Sequence, residues 1–504
     1  MGRNMKEGSD LSLDKCMEKR LGELSVGPSE KKPCTIYRVP SHLRKDDESS
    51  YQPKIISIGP YHHCDNGLQA MEEHKWQFLS EFLERNRRVP LKHYLDKVRE
   101  KEMEARSHYS EKLVQLSSDD FVQMMVLDGC FIIELFLQRY QAKDDLICGT
   151  RWMLPLITND MLLLENQLPF FILEELFKLA DLTFRDGENL QITINSLAIH
   201  FFSHLLVGDD KSLPGKQEPF HLLHLLHLFH IRRLKDSPDG SQATDSNKMQ
   251  HNSSQTPPQQ PLTNSSHSDI EAQPPETESK KTGRSGNRKW ERVAILLRTI
   301  MGLPRKSSPP HKSIRSATEL HEAGVKFRVK KDANSCLEVK FGDGVMEIPY
   351  LLIKDNTNSL FRNFIAFEQC HPDSNCHFTS YAFFMDCIVN TPADVALLCQ
   401  NKILEHWLGS HDAVALLFNK LCSGVTSCFS DRVTDTQTHR YFHDLFKEVT
   451  KYCNTTWHTW RARLMHDYFS SPWAIISVVA AITLLLLTVA QTFFSAIAYV
   501  KPPA

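Results

Sequence analysis

Glu165, Asn166 and Gln167 follow the apolar run Met161-Leu-Leu-Leu and precede Pro169, with Glu174 a little further on. A carboxylate in apolar surroundings is the kind of group that acts as a general acid or base, because burial raises its pKa toward neutrality. His62 and His63 offer a titratable partner near neutral pH. The same residue types have a structural use. Buried amides and carboxylates satisfy backbone groups where a proline interrupts a helix, and that use is the commoner one. His62-His63-Cys64 follow Gly59-Pro60-Tyr61, which is turn chemistry first.

Two further groups have the composition of metal ligands. His221, His224, His227 and His230 recur every third residue in a leucine-rich stretch. On a helix each third residue lags by about 60°. Four such side chains wind around the axis rather than converge on one ion, so a packing helix is expected. Cys370-His371 and Cys376-His377 supply four donors, but the pairs are wider apart than the usual two to four residues of zinc sites. Complete enzyme signatures are missing. Gly215-Lys216-Gln217 lacks the Ser or Thr of a phosphate-binding loop, and His321-Glu322 lacks the second histidine of a zinc-protease helix. The expectation is therefore no assigned catalytic, cofactor or metal residue.

A different kind of site lies between Lys280 and Arg315, which holds eleven Lys or Arg and one acid, Glu291. Within it, Trp290, Val293, Leu297, Ile300 and Met301 fall on one helical face, while Arg298 and Arg292 lie off it. This pattern suits an anionic lipid surface or a groove-binding partner such as calmodulin. It equally suits a surface helix with a solvated charged face. With 59 basic and 61 acidic residues the formal net charge is −2. No global field draws the chain to nucleic acid, and none is expected as partner.

The elements that must position these residues are mostly helices. Residues 1–33 form a polar lead and 34–235 a first helical block. Ser117 with Asp120 caps a helix through 121–140, and Asn159 is expected to cap another that opens at Met161. Residues 236–289 are rich in Ser, Pro and Gln and read as a disordered linker. The basic amphipathic helix is placed at 290–303. A second block covers 313–467. It opens with Ser316 and Glu319 as a cap and Gly324 as a stop. Segments 325–329, 337–341 and 345–349 alternate in polarity, with Gly342-Asp343-Gly344 as a tight turn, and predict a small antiparallel β-meander. Thr391-Pro392 starts another helix. The expected class is mainly α with that small meander. Thirteen cysteines without regular spacing do not make a secreted disulfide framework.

From Tyr468 to Val500 there is no charged residue. A spanning helix needs about 20 apolar residues, so a single transmembrane helix is predicted at 473–500, with Trp473 and Tyr499 near its ends. The polar start carries no signal-peptide core. Arg461 and Arg463 precede the span and only Lys501 follows it. The expectation is a tail-anchored, single-pass protein with its bulk on the cytosolic side of the plasma membrane or an endomembrane. Sequons at Asn252, Asn264 and Asn454 provide a way to test that topology.

Several motifs, in order, carry a resemblance. They are Ile36-Tyr37-Arg38-Val39-Pro40, Ile56-Ser57-Ile58-Gly59-Pro60-Tyr61-His62-His63, Asp128-Gly129-Cys130 and Asp160 followed by Leu164-Glu165-Asn166-Gln167-Leu168-Pro169-Phe170. In the second half come Glu319-Leu320 and Asn363 with Ala366-Phe367-Glu368-Gln369. Together they resemble the plant domain of unknown function 247 family over about residues 35–500. The resemblance implies an uncharacterised plant membrane protein, with no reaction or catalytic residues assigned to the family. Some grass relatives are implicated in self-incompatibility recognition. The expected role is an interaction or signalling protein with unknown protein partners. The alternatives are an unrecognised enzyme using Glu165, His62 or His63, and a receptor-like protein with its bulk outside the cell.

Overall fold

The computed structural model describes residues 34–113, 116–141, 150–180, 192–206, 218–235, 314–426, 437–455 and 472–500, with Lys15, Met17 and Glu18. The linker 236–289 and the basic segment 290–303, with its candidate residues Trp290, Val293, Leu297, Arg298, Ile300 and Met301, lie outside the described residues. The segments on either side of 239–313 belong to one compact unit.

The first half is built around α3 (Ser118–Tyr140). Ser117 caps it as expected, its hydroxyl accepting from the Asp120 amide at 3.2 Å. Every residue from Phe121 to Gln138 except Gln123 is buried. A helix apolar on nearly all sides must be enclosed on nearly all sides. Four helices do this: α1 (Glu72–Arg85), α2 (Leu91–Glu100), α5 (Phe170–Leu179) and α6 (Ile194–Phe201). Where α3 carries charge inside, it is matched. Arg85 grips the Glu134 carboxylate with two bonds, of 2.6 and 3.0 Å. Lys75 places its ammonium 2.7 Å from Asp128 and 2.6 Å from Glu72. Burial would depress the lysine pKa, but these two carboxylates outweigh it and hold it above the ordinary range.

Between α4 (Met153–Asp160) and α5 the chain is not helical. Asn159 therefore ends a helix rather than capping one. The cause lies in the next residues. Asn166 Nδ2 donates to the Asp160 carbonyl at 2.9 Å, and Gln167 Nε2 donates to the Met161 and Leu163 carbonyls at 2.7 and 2.8 Å. Side chains take the carbonyls that continuing helical amides would have used. Pro169 then precedes α5.

The second half contains α8 (Thr357–Cys370), α9 (His377–Ile388), α10 (Pro392–Gln400), α11 (His411–Leu421) and α12 (Gln437–Cys453). Thr391 and Asp394 form the capping box of α10, with Pro392 in its first turn. From the first half, α7 (Leu222–Lys235) packs against α8.

The small sheet differs from the predicted meander. Its strands are β1 (Lys326–Lys330), β2 (Lys340–Gly342) and β3 (Val345–Pro349), in the order β1-β3-β2. β2 and β3 form the expected antiparallel hairpin, and both turn residues, Asp343 and Gly344, have positive φ, as a two-residue turn requires. β1, however, pairs parallel with β3. Leu337 and Val339 are fully buried and the Glu338 carboxylate accepts from the Asn334 amide and from Lys330. This folded connection brings β2 back beyond β3 instead of beside β1. A second, parallel pair joins β4 (Leu351–Ile353) to β5 (Leu404–His406).

At the C-terminus, α13 spans Pro472–Val500. Among the described residues no single helix is long and apolar enough to cross a membrane; the described apolar stretch of α13 is Val479–Ser495. The expected transmembrane helix is thus present as a helix, without meeting that criterion.

Candidate functional site

Residues 34–61 contain no strand and only two short helical turns, at Ser41–Arg44 and Glu48–Tyr51. Much of the segment is nevertheless buried, including Ile36, Val39, Ile56 and Ile58. A buried backbone amide left without an acceptor costs about 1–3 kcal/mol, so its hydrogen bonds must come from elsewhere. The Thr35 and Ile36 amides bond the His108 carbonyl; those of Val39, Ile55, Ile56, Ile58 and Gly59 bond buried side chains of the motif residues.

Asp160 accepts from the amides of Lys54, Ile55 and Ile56, the closest at 2.8 Å. Burial raises its carboxyl to a pKa of about 6 against the opposing effect of these amides. Asn166 accepts from the Ile58 amide at 2.7 Å and donates to the Ile56 carbonyl at 3.0 Å. Asp128 accepts from Gly59 at 2.8 Å. Gly59 has φ +73°, and a Cβ there would lie 2.5 Å from the Gln167 carbonyl oxygen. Only glycine fits that approach.

Glu165 sits at the centre of this seam, fully buried. One oxygen accepts from the Val39 amide at 2.5 Å and from Arg44; the other accepts from Arg38 at 2.9 Å. Burial works against the Arg38 charge, but Glu165 and Glu111 outweigh it and raise its pKa. The guanidinium also covers the Tyr61 ring, 4.2 Å from the centroid. His62 Nε2 lies 3.6 Å from Glu165, beyond hydrogen-bond reach. Burial, with help from the two arginines, pulls its pKa down to about 4 against the pull of Glu165. The structure therefore brings Glu165 and His62 together, as the enzyme alternative required. It also commits the carboxylate to two cations and an amide. Such an arrangement pins a loop, because both carboxylate oxygens are engaged by donors of the N-terminal segment.

The histidine helix α7 resolves in the same sense. All four histidines are buried, because leucines occupy the faces between them. Each finds a different neighbour. His221 donates to the Thr35 carbonyl at 3.1 Å, and His224 accepts from the Phe220 amide at 3.0 Å. His227 Nε2 lies 2.8 Å from Glu368, and His230 Nδ1 lies 3.9 Å from the Cys336 sulfur. They do not converge on one ion. Burial lowers His221 to a pKa of about 3 and holds His224 well below its ordinary value.

His371, from the Cys-His pairs, meets the Tyr37 hydroxyl at 3.0 Å. His377 opens α9, whose first amides are capped by Glu368. Cys370 is a free thiol, whereas Cys376 is disulfide-bonded, so the two do not pair with each other. Asn363 of α8 ties the halves together, accepting from the Leu164 amide at 2.9 Å and donating to the Ser50 carbonyl at 2.9 Å. Sequence reasoning passed over one constellation, Cys399, His406 and His411. Its spacing fits no familiar ligand pattern, and no signal in the sequence would have found it.

The residues of this seam, Glu165, Asn166, Gln167, Asn363 and Glu368, are among the motif residues that carry the family resemblance. A family model described as DUF247, plant protein of unknown function, matches residues 36–487. The chain belongs to that family. UPF0481 protein At3g47200 of Arabidopsis thaliana is 30% identical over 483 residues, covering 94% of this chain and 88% of the relative. Putative UPF0481 protein At3g02645 of the same plant is 23% identical over 508 residues, covering 96% and 93%. No solved structure matches. For this DUF247 protein, the motifs that carry the resemblance map onto the polar seam that holds the N-terminal segment to the helical body.

Proposed function

We propose that this protein is a membrane-tethered interaction protein: a rigid helical body that binds other proteins, held at a membrane by α13, with its bulk in the cytosol. One observation carries the tether. Between Val479 and Phe494 of α13 the large apolar side chains are exposed in every direction, with Leu484, Leu485, Leu486 and Leu487 each more than 60% exposed. A helix packed on a protein core hides one face. Four successive leucines cover the whole circumference, and such a surface is compatible with hydrocarbon rather than water. The excess of Arg461 and Arg463 over Lys501 supports the cytosolic orientation.

The basic segment 290–301 fits this role as a second contact. Trp290, Val293, Leu297, Ile300 and Met301 would enter an anionic lipid surface or the groove of a calmodulin-like partner, with Arg298 beside the anionic groups. A Leu297→Glu, Arg298→Glu double variant should lose binding to phosphatidylserine vesicles or to calcium-loaded calmodulin.

The test of the tether is alkaline carbonate extraction of the full chain from plant membranes. The expected result is retention in the pellet, and release of a Leu485→Arg, Leu487→Arg variant. Complete extraction of the unaltered chain would reject the tether.

A second reading places the bulk outside the cytosol, as a receptor-like protein. Its support is the disulfide at Cys376, since such bonds persist chiefly in oxidising compartments. Endoglycosidase treatment separates the two. A mobility shift abolished by replacing Asn252, Asn264 and Asn454 with Gln favours the receptor, and no shift agrees with the cytosolic bulk.

A further inference from the structure

We propose that Cys399, His406 and His411 form a zinc site whose fourth position faces solvent. One donor atom from each of the three residues lies within 4.8 Å of the others. Zinc bonds of about 2.3 Å to sulfur and about 2.0 Å to nitrogen place tetrahedral donors about 3.5 Å apart. Closure therefore needs only a small contraction, which the exposed His411 ring can supply by rotation.

The fold brings the three together from three elements. Cys399 is in the last turn of α10, His406 ends β5, and His411 opens α11. Between α10 and β5 the chain reverses through Lys402, whose φ is +59°. A lysine there is in the left-handed region that ordinary residues rarely enter. β5 is then fixed by pairing with β4, and the Trp407 amide bonds the Ile353 carbonyl at 2.9 Å. Ser410 caps α11 and so sets the start of the helix at His411.

The His406 ring is already in the state a metal ligand needs. Its Nδ1 lies 2.9 Å from the Leu408 carbonyl oxygen. A carbonyl can only accept, so Nδ1 carries the proton and Nε2 keeps its lone pair. Histidines that bind metals usually donate their other N–H to such an acceptor, which fixes the tautomer and the ring. The His406 and His411 rings meet edge to face with centroids 5.2 Å apart.

The donor set selects the ion. A thiolate with two imidazoles suits a borderline-soft divalent metal, and zinc tolerates the geometry without redox chemistry. Glu405 of β5 accepts from the Tyr350 hydroxyl at 2.7 Å. Burial, and then this carboxylate, raise the Cys399 thiol above its ordinary pKa, so a bound cation must displace its proton. The nearby ammonium of Lys354 is drawn over the Trp407 ring, 4.8 Å from its centroid. Cys399 and His406 are half-buried and His411 is exposed. Three protein donors with one solvent-facing ligand leave a position for water or an exchangeable group, as in zinc sites that do chemistry.

The test uses the full-length chain, purified in detergent without a histidine tag. Elemental analysis after dialysis should find about one zinc per chain. Replacement by cobalt(II) should give a near-ultraviolet thiolate-to-cobalt charge-transfer band and the intense visible bands of a four-coordinate ion. Cys399→Ser should lose the charge-transfer band. His411→Gln should weaken cobalt binding at least about 100-fold, since even outer-shell losses cost 10–100-fold. His411 is exposed, so that variant should keep its circular dichroism and melting temperature without metal, which separates lost binding from lost folding. Three outcomes would overturn the proposal. They are no cobalt band at micromolar metal, a band that survives Cys399→Ser, or a copper-loaded protein with intense blue absorption.

Discussion

His227 of α7 and Glu368 of α8 meet at 2.8 Å inside the protein, 141 residues apart in sequence. The same carboxylate accepts from the Phe378 and Thr379 amides and from the Thr379 hydroxyl. One glutamate thus caps α9 and receives a histidine from the other half of the chain. These partners supply the hydrogen bonds that burial would otherwise deny the carboxylate.

Removing that carboxylate should be costly. Glu368→Ala leaves two helix amides and a histidine without their acceptor, and each buried donor left unsatisfied costs about 1–3 kcal/mol. Urea unfolding of the two variants should show Glu368→Gln retaining more stability than Glu368→Ala, because the amide oxygen still accepts.

Glu165→Gln is expected to act on folding. It leaves Arg38 and Arg44 facing an uncharged group, for a loss of about 2–4 kcal/mol. A double-mutant cycle of Glu165→Gln with Arg44→Met should give a coupling energy above about 1 kcal/mol. A variant as stable as the parent that loses biological activity would instead restore the catalytic reading of Glu165.

The buried histidines set a pH dependence. Burial depresses His62 to about 4 and His221 to about 3 in the folded state, below the ordinary value near 6.5. The unfolded chain therefore binds these protons first as pH falls. The stability from keeping them neutral is full above about pH 6.5 and is lost as pH drops toward 4. A tenfold difference in proton affinity between the folded and unfolded chain corresponds to about 1.4 kcal/mol, so His62 alone contributes roughly 3–4 kcal/mol. Urea midpoints at pH 7.5 and 5 should differ less in His62→Gln than in the parent.

Gly59→Ala tests the seam at its tightest point. The added Cβ meets the Gln167 carbonyl oxygen, and φ of +73° is strained for alanine. The melting temperature should fall by several degrees, corresponding to about 2 kcal/mol or more. An unchanged value would mean that 56–61 is not held against Gln167.

Much of the fold was legible because it rests on neighbours in sequence. Ser117 with Asp120, Thr391 with Asp394, and Asp343-Gly344 between two strands each act over two to four residues, where residue type alone dictates the hydrogen bond. The helical class followed from apolar periodicity for the same reason. The family followed from motifs whose physical task the sequence did not disclose.

What only the tertiary structure decided involves partners far apart along the chain. Asn159 ends a helix because Asn166, which takes the Asp160 carbonyl, is itself held by the Ile56 carbonyl and the Ile58 amide about a hundred residues earlier. β1 lies parallel to β3 because the intervening chain is folded and buried, and local alternation of polarity does not encode strand order. Glu165 clamps the N-terminal segment because Arg38 and Arg44, more than a hundred residues earlier, reach it. Cys399, His406 and His411 converge because β5 pairs with β4 and so fixes the corner between α10 and α11. Residue type determines which bonds a side chain is able to make. In a close-packed interior, the approach of distant segments determines which of them it makes.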